Sequence, residues 1–275
     1  MPAPSFLKKL FANPSGENFV IAFRNIPLLN RIAIACMPRH TDYKKDSLRN
    51  VVRKKIHFQL DLSDWVDWNI FFDNEVEPKE NLFRQIKSVM FVFDIGANMG
   101  ETSLTMAKQV GVTGEVFSFE PSPVNFKKCL HNISLNKNLK NRIKLFNLAL
   151  GENEGTALLQ TRDEHNFGMN TISVTGTEVK MKTLDLFFQE EKIPQCNLIK
   201  MDVEGFELKI LKGAESTLKK FKPVLFLELN QELLQQQGDS VSSLFSFLNK
   251  HQYKIIDPQL SEEEFSNGHY DIIAV

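Results

Sequence analysis

The chain has 275 residues, 42% of them hydrophobic and 24% charged, and its formal net charge is −1 at pH 7. This composition indicates a globular protein with a real core, and the near-zero charge points to no particular partner. Cys36, Cys129 and Cys196 form no C-x-x-C pair, which argues against a disulfide framework and a zinc site and is typical of a reducing compartment.

Residues 1–88 are predicted to form a mixed, partly helical N-terminal extension. Between Arg24 and Lys55 nine Lys or Arg residues face only two acids, a local excess of +7. Two interpretations stay open: a surface for an acidic glycan, a phospholipid membrane or nucleic acid, or a solvated helical face, which we favour. No RNA-binding signature interleaves aromatic residues with these charges, so we expect no nucleic-acid partner, although peripheral membrane contact through residues 24–55 stays open.

Membrane-spanning and secretory segments are not predicted. No apolar run approaches the roughly 20 residues that a spanning helix needs. The N-terminal residues lack a long apolar stretch followed by a small-residue cleavage site. We therefore expect a cytoplasmic protein.

Residues 89–275 are predicted to form one α/β domain. Apolar strands alternate with amphipathic helices, which indicates a doubly wound, mostly parallel sheet covered on both faces. The last two strands are joined by a segment too short for a crossover helix, which predicts an antiparallel hairpin at the sheet edge. The predicted strands are 91–96, 115–121, 143–150, 197–205, 223–230, 253–258 and 270–275, and the predicted helices are 101–110, 122–136, 206–221 and 240–251.

The stretch FDIGANMG ends the first of these strands and begins a helix. Ligands of such sheets bind beyond the carboxyl ends of the strands, and Gly96 and Gly100 allow a tight turn and a close backbone approach there. A dinucleotide site would need the spacing G-x-G-x-x-G. Here Asn98 occupies the second glycine position, and Glu101 occupies the third, where it would repel a pyrophosphate. The D-x-G-x-x-x-G spacing from Asp94 fits S-adenosylmethionine better, because that molecule carries an ammonium group and no phosphate.

Glu120 is the second cofactor candidate. It ends the next strand, 20 residues after Gly100, where an acid can bind both hydroxyls of an adenine ribose. The alternative is that Glu120 only caps the following helix, but Ser122 is the better cap. The predicted cofactor-binding residues are Asp94, Gly96, Asn98, Gly100, Glu101, Thr102, Glu120, Pro121, Asn147 and Ala149.

Several stretches together resemble the FkbM family of methyltransferases over roughly residues 58–230. They are FDIGANMGETS, FSFEPSP, NLALG, TLDLF and LIKMDVEGFELKILKGA. The resemblance implies a class I, Rossmann-like S-adenosylmethionine fold. It also implies O-methylation, often of sugar hydroxyls or alcohols of secondary metabolites.

The candidate catalytic residues follow from what methyl transfer to a hydroxyl requires. An alcohol is a poor nucleophile, so a base must take its proton or a metal must bind its oxygen. Asp202 ends a strand expected beside the glycine-loop strand, Glu204 opens the next helix, and His165 lies in a polar insertion (161–174) expected to cover the site.

Glu228 and Asn230 lie two residues apart on the following strand, so they share a face and are predicted to bind the acceptor. With Asp202 they could hold a divalent cation through oxygen ligands. We favour hydrogen bonding to a polyol and predict no metal.

The sequence disfavours two other functional classes. A non-catalytic Rossmann-like module that docks through its basic segment is disfavoured because Asp94, Gly96, Gly100 and Glu120 are all present. A nicotinamide oxidoreductase is disfavoured by Asn98 and Glu101. The predicted function is therefore S-adenosylmethionine-dependent O-methylation of a glycan, a polyol or a secondary metabolite.

Overall fold

The computed structural model describes residues 5–74, 79–163, 166–260, 262–265 and 268–275. The chain forms two compact units, one of residues 1–77 with 163–167 and the other of residues 78–162 with 168–275. Across the described ranges, no helix combines the length and the apolar character needed to cross a bilayer.

The first unit contains short helices and one hairpin. Asn13 caps the second helix by accepting from two backbone amides, and Asp64 does the same for the fourth. The two strands pair antiparallel, with Leu48 opposite Asp61. Its elements are α1 Ser5–Leu10, α2 Pro14–Phe23, α3 Asn30–Cys36, β1 Leu48–Arg53, β2 Ile56–Asp61 and α4 Trp65–Phe71.

Several arginines of the basic segment (residues 24–55) form ion pairs or hydrogen bonds within this unit. Arg49 makes a two-pronged ion pair with the buried Glu17, at 2.8 Å for each N–O contact. Arg24, Arg39 and Arg53 also bond within the unit, to Asn74, Asp42 and the Ile70 carbonyl. Four of the nine cations therefore hold the unit together, and the others are exposed: Arg31, Lys44, Lys45, Lys54 and Lys55.

The second unit carries the alternating elements that the sequence predicts, together with several helices and strands that it does not predict. They are α5 Glu80–Gln85, β3 Phe91–Ile95, α6 Glu101–Gln109, β4 Glu115–Phe119, α7 Pro123–Leu135, β5 Ile143–Phe146, β6 Ala149–Leu150, β7 Gly155–Asp163, β8 Asn166–Ser173, β9 Thr177–Lys182, α8 Leu184–Glu191, β10 Leu198–Met201, α9 Glu207–Lys212, α10 Glu215–Phe221, β11 Val224–Asn230, α11 Gln231–Gln236, α12 Val241–Lys250, β12 Ile255–Asp257, α13 Glu262–Phe265 and β13 His269–Ala274.

Seven of these strands form one sheet in the order β12-β13-β11-β10-β3-β4-β5. β5, β4, β3, β10 and β11 pair parallel, and β13 pairs antiparallel with both β11 and β12. The α/β fold class and the antiparallel edge hairpin are therefore confirmed. β10 lies directly beside β3, so the strand that ends at the glycine loop and the strand that precedes Asp202 are neighbours.

The predicted elements differ from the structure in four places. The strand predicted over 197–205 ends at Met201, and Glu204 lies in the turn that precedes the next helix. The strand predicted over 143–150 is divided into β5 and β6, and β6 joins a second sheet of order β6-β9-β7-β8. The polar insertion is part of that sheet. The helix predicted over 206–221 breaks at Gly213, where an added Cβ would lie 2.0 Å from the Gly151 carbonyl oxygen.

The core of the second unit is rich in phenylalanine. Phe93 on β3 stacks on Phe117 of β4 and on Phe188 of α8, with ring centroids 4.9 Å apart in both pairs. These rings fix the spacing between the sheet and α8 because aromatic cores tolerate little void. The same core cluster contains Ile95, Phe119 and Met201, the last residues of β3, β4 and β10.

Candidate active site

The glycine loop between β3 and α6 is built from left-handed residues. Gly96, Asn98 and Gly100 have φ values of +81°, +49° and +93°. A Cβ on Gly96 would lie 2.0 Å from the carbonyl oxygen of Asp202, so no larger residue fits there without moving the backbone. A Cβ on Gly100 would lie 2.7 Å from Sγ of Cys129 on α7. Packing against the protein itself is thus sufficient to require both glycines.

Glu120 follows β4 and is only 4% exposed. Its Oε2 accepts from the Asn98 amide and its Oε1 from the Ser122 amide, both at 2.8 Å. Burial raises the pKa of Glu120 to about 7, although these two amides favour the charged form. Ser122 is the residue that caps α7. Glu120 instead ties the glycine loop to the end of β4.

A buried ion pair lies beneath the loop. Nζ of Lys200 on β10 is 3.1 Å from Oδ1 of Asp94 and donates to the Gly96 carbonyl oxygen at 2.9 Å. Oδ2 of Asp94 accepts from Ser103 on α6 at 2.5 Å. Asp94 and Lys200 are 0% and 1% exposed. Lys200 was not predicted as a site residue. A lysine inside an apolar strand nevertheless indicates a buried ion pair, because buried lysines are almost always paired.

Asp202 lies at the end of β10 between two lysines. Its Oδ2 is 3.2 Å from Nζ of Lys79 and 3.5 Å from Nζ of Lys200, and its side chain is 30% exposed. Burial disfavours its charge, but Lys200 and Lys79 more than offset this and hold the pKa of the carboxyl well below its usual range. Asp202 is therefore ionised throughout the neutral pH range.

The turn after Asp202 is strained and held by a buried acid. Glu204 and Gly205 have φ values of +55° and +93°, and such backbone is costly for a residue with a side chain. Glu207 on α9 is 1% exposed, and its Oε1 accepts from the amides of Val203 at 3.4 Å and Gly205 at 3.3 Å. Burial raises its pKa to about 8. Glu207 was also missed by the sequence analysis.

Replacing Glu207 with Gln is expected to change stability in a pH-dependent way. Because the pKa of Glu207 is raised from 4.5 to about 8, the wild-type protein loses stability as the pH rises through this interval. Gln accepts from the same amides and does not ionise. Between pH 5 and 8.5 we expect the variant to gain about 2–4 kcal/mol relative to wild type, measured by urea unfolding. Glu191→Gln on the exposed end of α8 is the control. If the free energy of unfolding of Glu207→Gln depended on pH in the same way as that of wild type, the assignment of Glu207 as a buried acid would be contradicted.

The remaining predicted residues have structural contacts of their own. Asn230 caps α11 by accepting from Glu232 and Leu233 amides, at 3.0 and 3.2 Å. Asn147 donates to the carbonyl oxygens of Glu120 and Pro121, at 2.8 and 2.9 Å. Glu228 contacts Asp202 and His269. His165 lies outside the described residues.

An open cleft lies at the carboxyl ends of β3, β4 and β10. Seven predicted site residues line it: Gly96, Asn98, Glu120, Pro121, Ala149, Asp202 and Glu204. Its wall is otherwise largely apolar: Ile95, Phe119, Leu148, Leu150, Leu159, Ile172, Val203, Phe206 and Ile210. The other predicted site residues of the described chain are not part of this lining: Asp94, Gly100, Glu101, Thr102, Asn147, Glu228 and Asn230. In the parts of the chain with described coordinates, no three His, Cys, Asp or Glu residues group as metal ligands.

The cleft therefore offers a carboxyl group at the end of β4, acidic groups at the end of β10 and apolar side chains besides. A ligand with a diol, a flat apolar ring and a positive charge suits these groups. Among the described residues that line the cleft, none is a lysine or an arginine that could bind a phosphate. The arrangement is suited to a nucleoside that carries a cationic tail.

Known proteins with similar sequences are methyltransferases. The chain is 27% identical over 130 residues to the hexuronic acid methyltransferase AglP of Haloferax volcanii, which covers 46% of this chain and 51% of that protein. It is 25% identical over 158 residues to the methyltransferase sdnD of Sordaria araneosa, covering 46% of this chain and 60% of that protein. The chain thus spans between half and about 60% of the length of these curated relatives.

Solved structures with a similar arrangement include the FkbM methyltransferase of Methylobacillus flagellatus, with 19% identity and a TM-score of 0.45 over 69% of this chain and 43% of that one. Fibrillarin of Aeropyrum pernix with bound S-adenosyl-L-methionine has 12% identity and a TM-score of 0.41, over 85% of this chain and 84% of that one. Residues 94–255, more than half of the chain, match the domain described as "Methyltransferase FkbM domain". The chain therefore belongs to the S-adenosylmethionine-dependent FkbM methyltransferase family.

Proposed function

We propose that this chain transfers a methyl group from S-adenosylmethionine to a hydroxyl of a glycan, a polyol or a secondary metabolite. The observation that carries the proposal is the cleft itself, which brings Glu120 and Asp202, from the ends of two strands that flank β3, to one largely apolar pocket. Family membership supports the methyl donor. The name of the relative AglP, a hexuronic acid methyltransferase, supports a sugar-derived acceptor.

The residues of the cleft fit the cofactor. The two Glu120 oxygens each accept one amide and keep capacity for a ribose hydroxyl. Phe119, Leu148 and Ala149 lie beside Glu120 in the lining and suit the adenine. The bound cofactor supplies an activated methyl group on a positively charged sulfur.

Asp202 is the proposed contact to the acceptor hydroxyl. As a carboxylate it accepts the hydroxyl hydrogen bond and orients the oxygen for in-line attack. Its lowered pKa makes it a weak proton acceptor by itself, so positioning is a larger part of its role than basicity alone. Glu204, which also lines the cleft, is the competing group.

The proposal is tested with labelled S-adenosylmethionine. The protein is incubated with cell extracts and with purified glycans, including uronic acid-containing ones, and products are identified by mass. We expect a labelled product that carries one added methyl on oxygen. If S-adenosylhomocysteine binds but no methyl is transferred to any acceptor, a non-catalytic binding module becomes the better interpretation. Transfer to nitrogen or carbon would contradict the O-methylation proposal.

Glu120→Ala is expected to weaken binding of S-adenosylhomocysteine. The ribose diol loses its charge-assisted hydrogen bonds, a loss of about 1–3 kcal/mol, or roughly 5–150-fold in Kd. Calorimetry with the purified protein measures it. Glu115→Ala is the matched control, because that carboxylate lies on the same strand but pairs with Lys144 at 2.6 Å outside the cleft lining. Equal affinity of folded Glu120→Ala and wild type would rule out the ribose role.

A further inference from the structure

Three adjacent strands bring a line of ionisable side chains from the cleft towards the surface. β10 pairs with β11, and β11 pairs with β13. Asp202 follows β10, Glu228 lies on β11, and His269 begins β13, where it is paired with Asn230. Asp202 lines the cleft, whereas the side chain of His269 is 42% exposed.

Asp202 and Glu228 lie side by side on neighbouring strands. β10 and β11 pair with Met201 opposite Leu227, and these two acids are the next residue on each strand. Two ionised carboxylates in such positions repel, so the pair favours one proton. Burial and then the charge of Asp202 raise the pKa of Glu228 well above its ordinary value, while Lys200 and Lys79 keep Asp202 ionised. Glu228 is therefore the protonated member of the pair.

Glu228 is also in contact with the third member of the line. Its Oε1 lies 2.7 Å from Nε2 of His269, and the side chain of Glu228 is 13% exposed. A carboxyl group in simultaneous contact with a carboxylate and an imidazole can accept a proton from one and release a proton to the other. No other histidine ring contact to Asp202 or Glu228 occurs within the described ranges.

We propose that Asp202, Glu228 and His269 form a proton relay that carries the hydroxyl proton of the acceptor from the cleft to solvent. The proposal rests on the methyl-transfer function proposed above. Glu228 thereby has a role beside the acceptor binding predicted from sequence.

The relay conserves atoms and charge at each step. When the acceptor oxygen bonds to the methyl carbon, the carbon–sulfur bond breaks and its electron pair stays on sulfur. The hydroxyl proton passes to Asp202. Glu228, whose own proton lies on Oε1 facing His269, takes the proton of Asp202 on its other oxygen and releases the Oε1 proton to the Nε2 lone pair of His269. The exposed imidazolium then loses one proton to water.

Other charges set the direction of this transfer. Lys79 and Lys200 face Asp202, which makes a proton on Asp202 unfavourable and favours its onward movement. Glu204 and Glu207 act on Glu228 and favour its protonated form. Asp271, opposite Glu228 on β13, adds a further acid near Lys79. The line thus runs from a group that releases protons readily to one that exchanges them with water.

The proton assigned to Glu228 is tested in the resting full-length protein by infrared difference spectroscopy at pH 7, with no acceptor present. We expect Glu228→Gln to lose the C=O band of one protonated carboxyl group. In Asp202→Asn this band shifts, because its hydrogen-bond partner changes. Glu207→Gln, which removes a different protonated acid, is the control. Loss of a carboxylate band in Glu228→Gln, with no loss of a carboxyl band, overturns the proposal whether or not methyl transfer occurs.

The relay itself is tested with the acceptor found by the methyl-transfer screen. His269→Ala is expected to lower turnover about tenfold, with KM for the acceptor and affinity for S-adenosylhomocysteine unchanged. Added imidazole should restore most of the lost rate, which a purely structural role does not explain. His251→Ala is the control, because its ring lies 3.6 Å from the Glu215 carboxylate in a contact away from the cleft. Undiminished turnover of His269→Ala, or a loss that imidazole does not restore, overturns the relay.

Discussion

Asp202→Asn is expected to lower turnover by roughly 10²–10⁴, the range usual for loss of a group that accepts a proton in the transition state. Asparagine has nearly the same shape, but it carries no charge and cannot take the proton. Binding of S-adenosylhomocysteine should stay within about threefold of wild type, because the proposed contacts to the nucleoside come from Glu120 and Phe119 at the end of β4 and from Leu148 and Ala149 at β6. Turnover and calorimetry on the same preparation measure both quantities.

Glu204→Gln is the comparison that decides between the two acids. Glu204 also lines the cleft, two residues further along the chain, and its φ of +55° places it in a constrained turn. If Asp202→Asn keeps near-wild-type turnover and Glu204→Gln loses it, the roles are exchanged. If both stay active, neither acid takes the proton, and the methyl transfer depends on positioning alone.

Lys200→Met is expected to lower the free energy of unfolding by about 3–5 kcal/mol, because it leaves a buried carboxylate without its partner. The side chain of Lys200 is 2% exposed and that of Asp94 is 0% exposed, so water cannot replace the lost cation. The Gly96 carbonyl oxygen loses its donor at the same time. Urea unfolding at pH 7 gives the stability, and S-adenosylhomocysteine affinity reports on the loop.

Two further variants isolate the cause. Lys209→Met removes a lysine that is 22% exposed and lies 3.5 Å from Asp239, so it should cost less than about 1 kcal/mol. The double variant Lys200→Met with Asp94→Asn removes the unpaired charge and should recover part of the loss. If the double variant loses as much stability as the sum of the two single changes, Lys200 and Asp94 are not energetically coupled, and the loss does not come from the ion pair.

The part of the fold that the sequence predicted correctly is governed by local patterns. Apolar strands, alternating helices and the short last connection were sufficient to predict β3, β4, β10, β11 and the edge hairpin. Neighbouring parallel strands end at one edge of the sheet, so the meeting of Glu120 and Asp202 at one cleft also followed from strand order. These features need no knowledge of which distant residues touch.

The features that were missed depend on contacts between distant residues. The helix predicted over 206–221 breaks at Gly213, where Gly151, 62 residues earlier in the chain, leaves no space for a side chain. Lys200 is unusual in the sequence only as a lysine in an apolar strand, and Glu207 has no such mark; the sheet then places Asp94 beside the first and the strained turn beside the second. Apolar periodicity gives no information on such pairings.

The contact between Gly96 and the carbonyl oxygen of Asp202 has an evolutionary consequence. The loop expected to hold the methyl donor and the residue expected to meet the acceptor share one point of backbone contact, where even one added carbon would lie 2.0 Å from an oxygen. Position 96 cannot accept a larger residue unless the backbone at position 202 moves, which would displace the Asp202 carboxylate as well. Divergence towards new acceptors is therefore expected to proceed through more distant walls of the cleft, such as β7 and β8, which carry Leu159 and Ile172. Those side chains can be exchanged without disturbing the junction of the two strands.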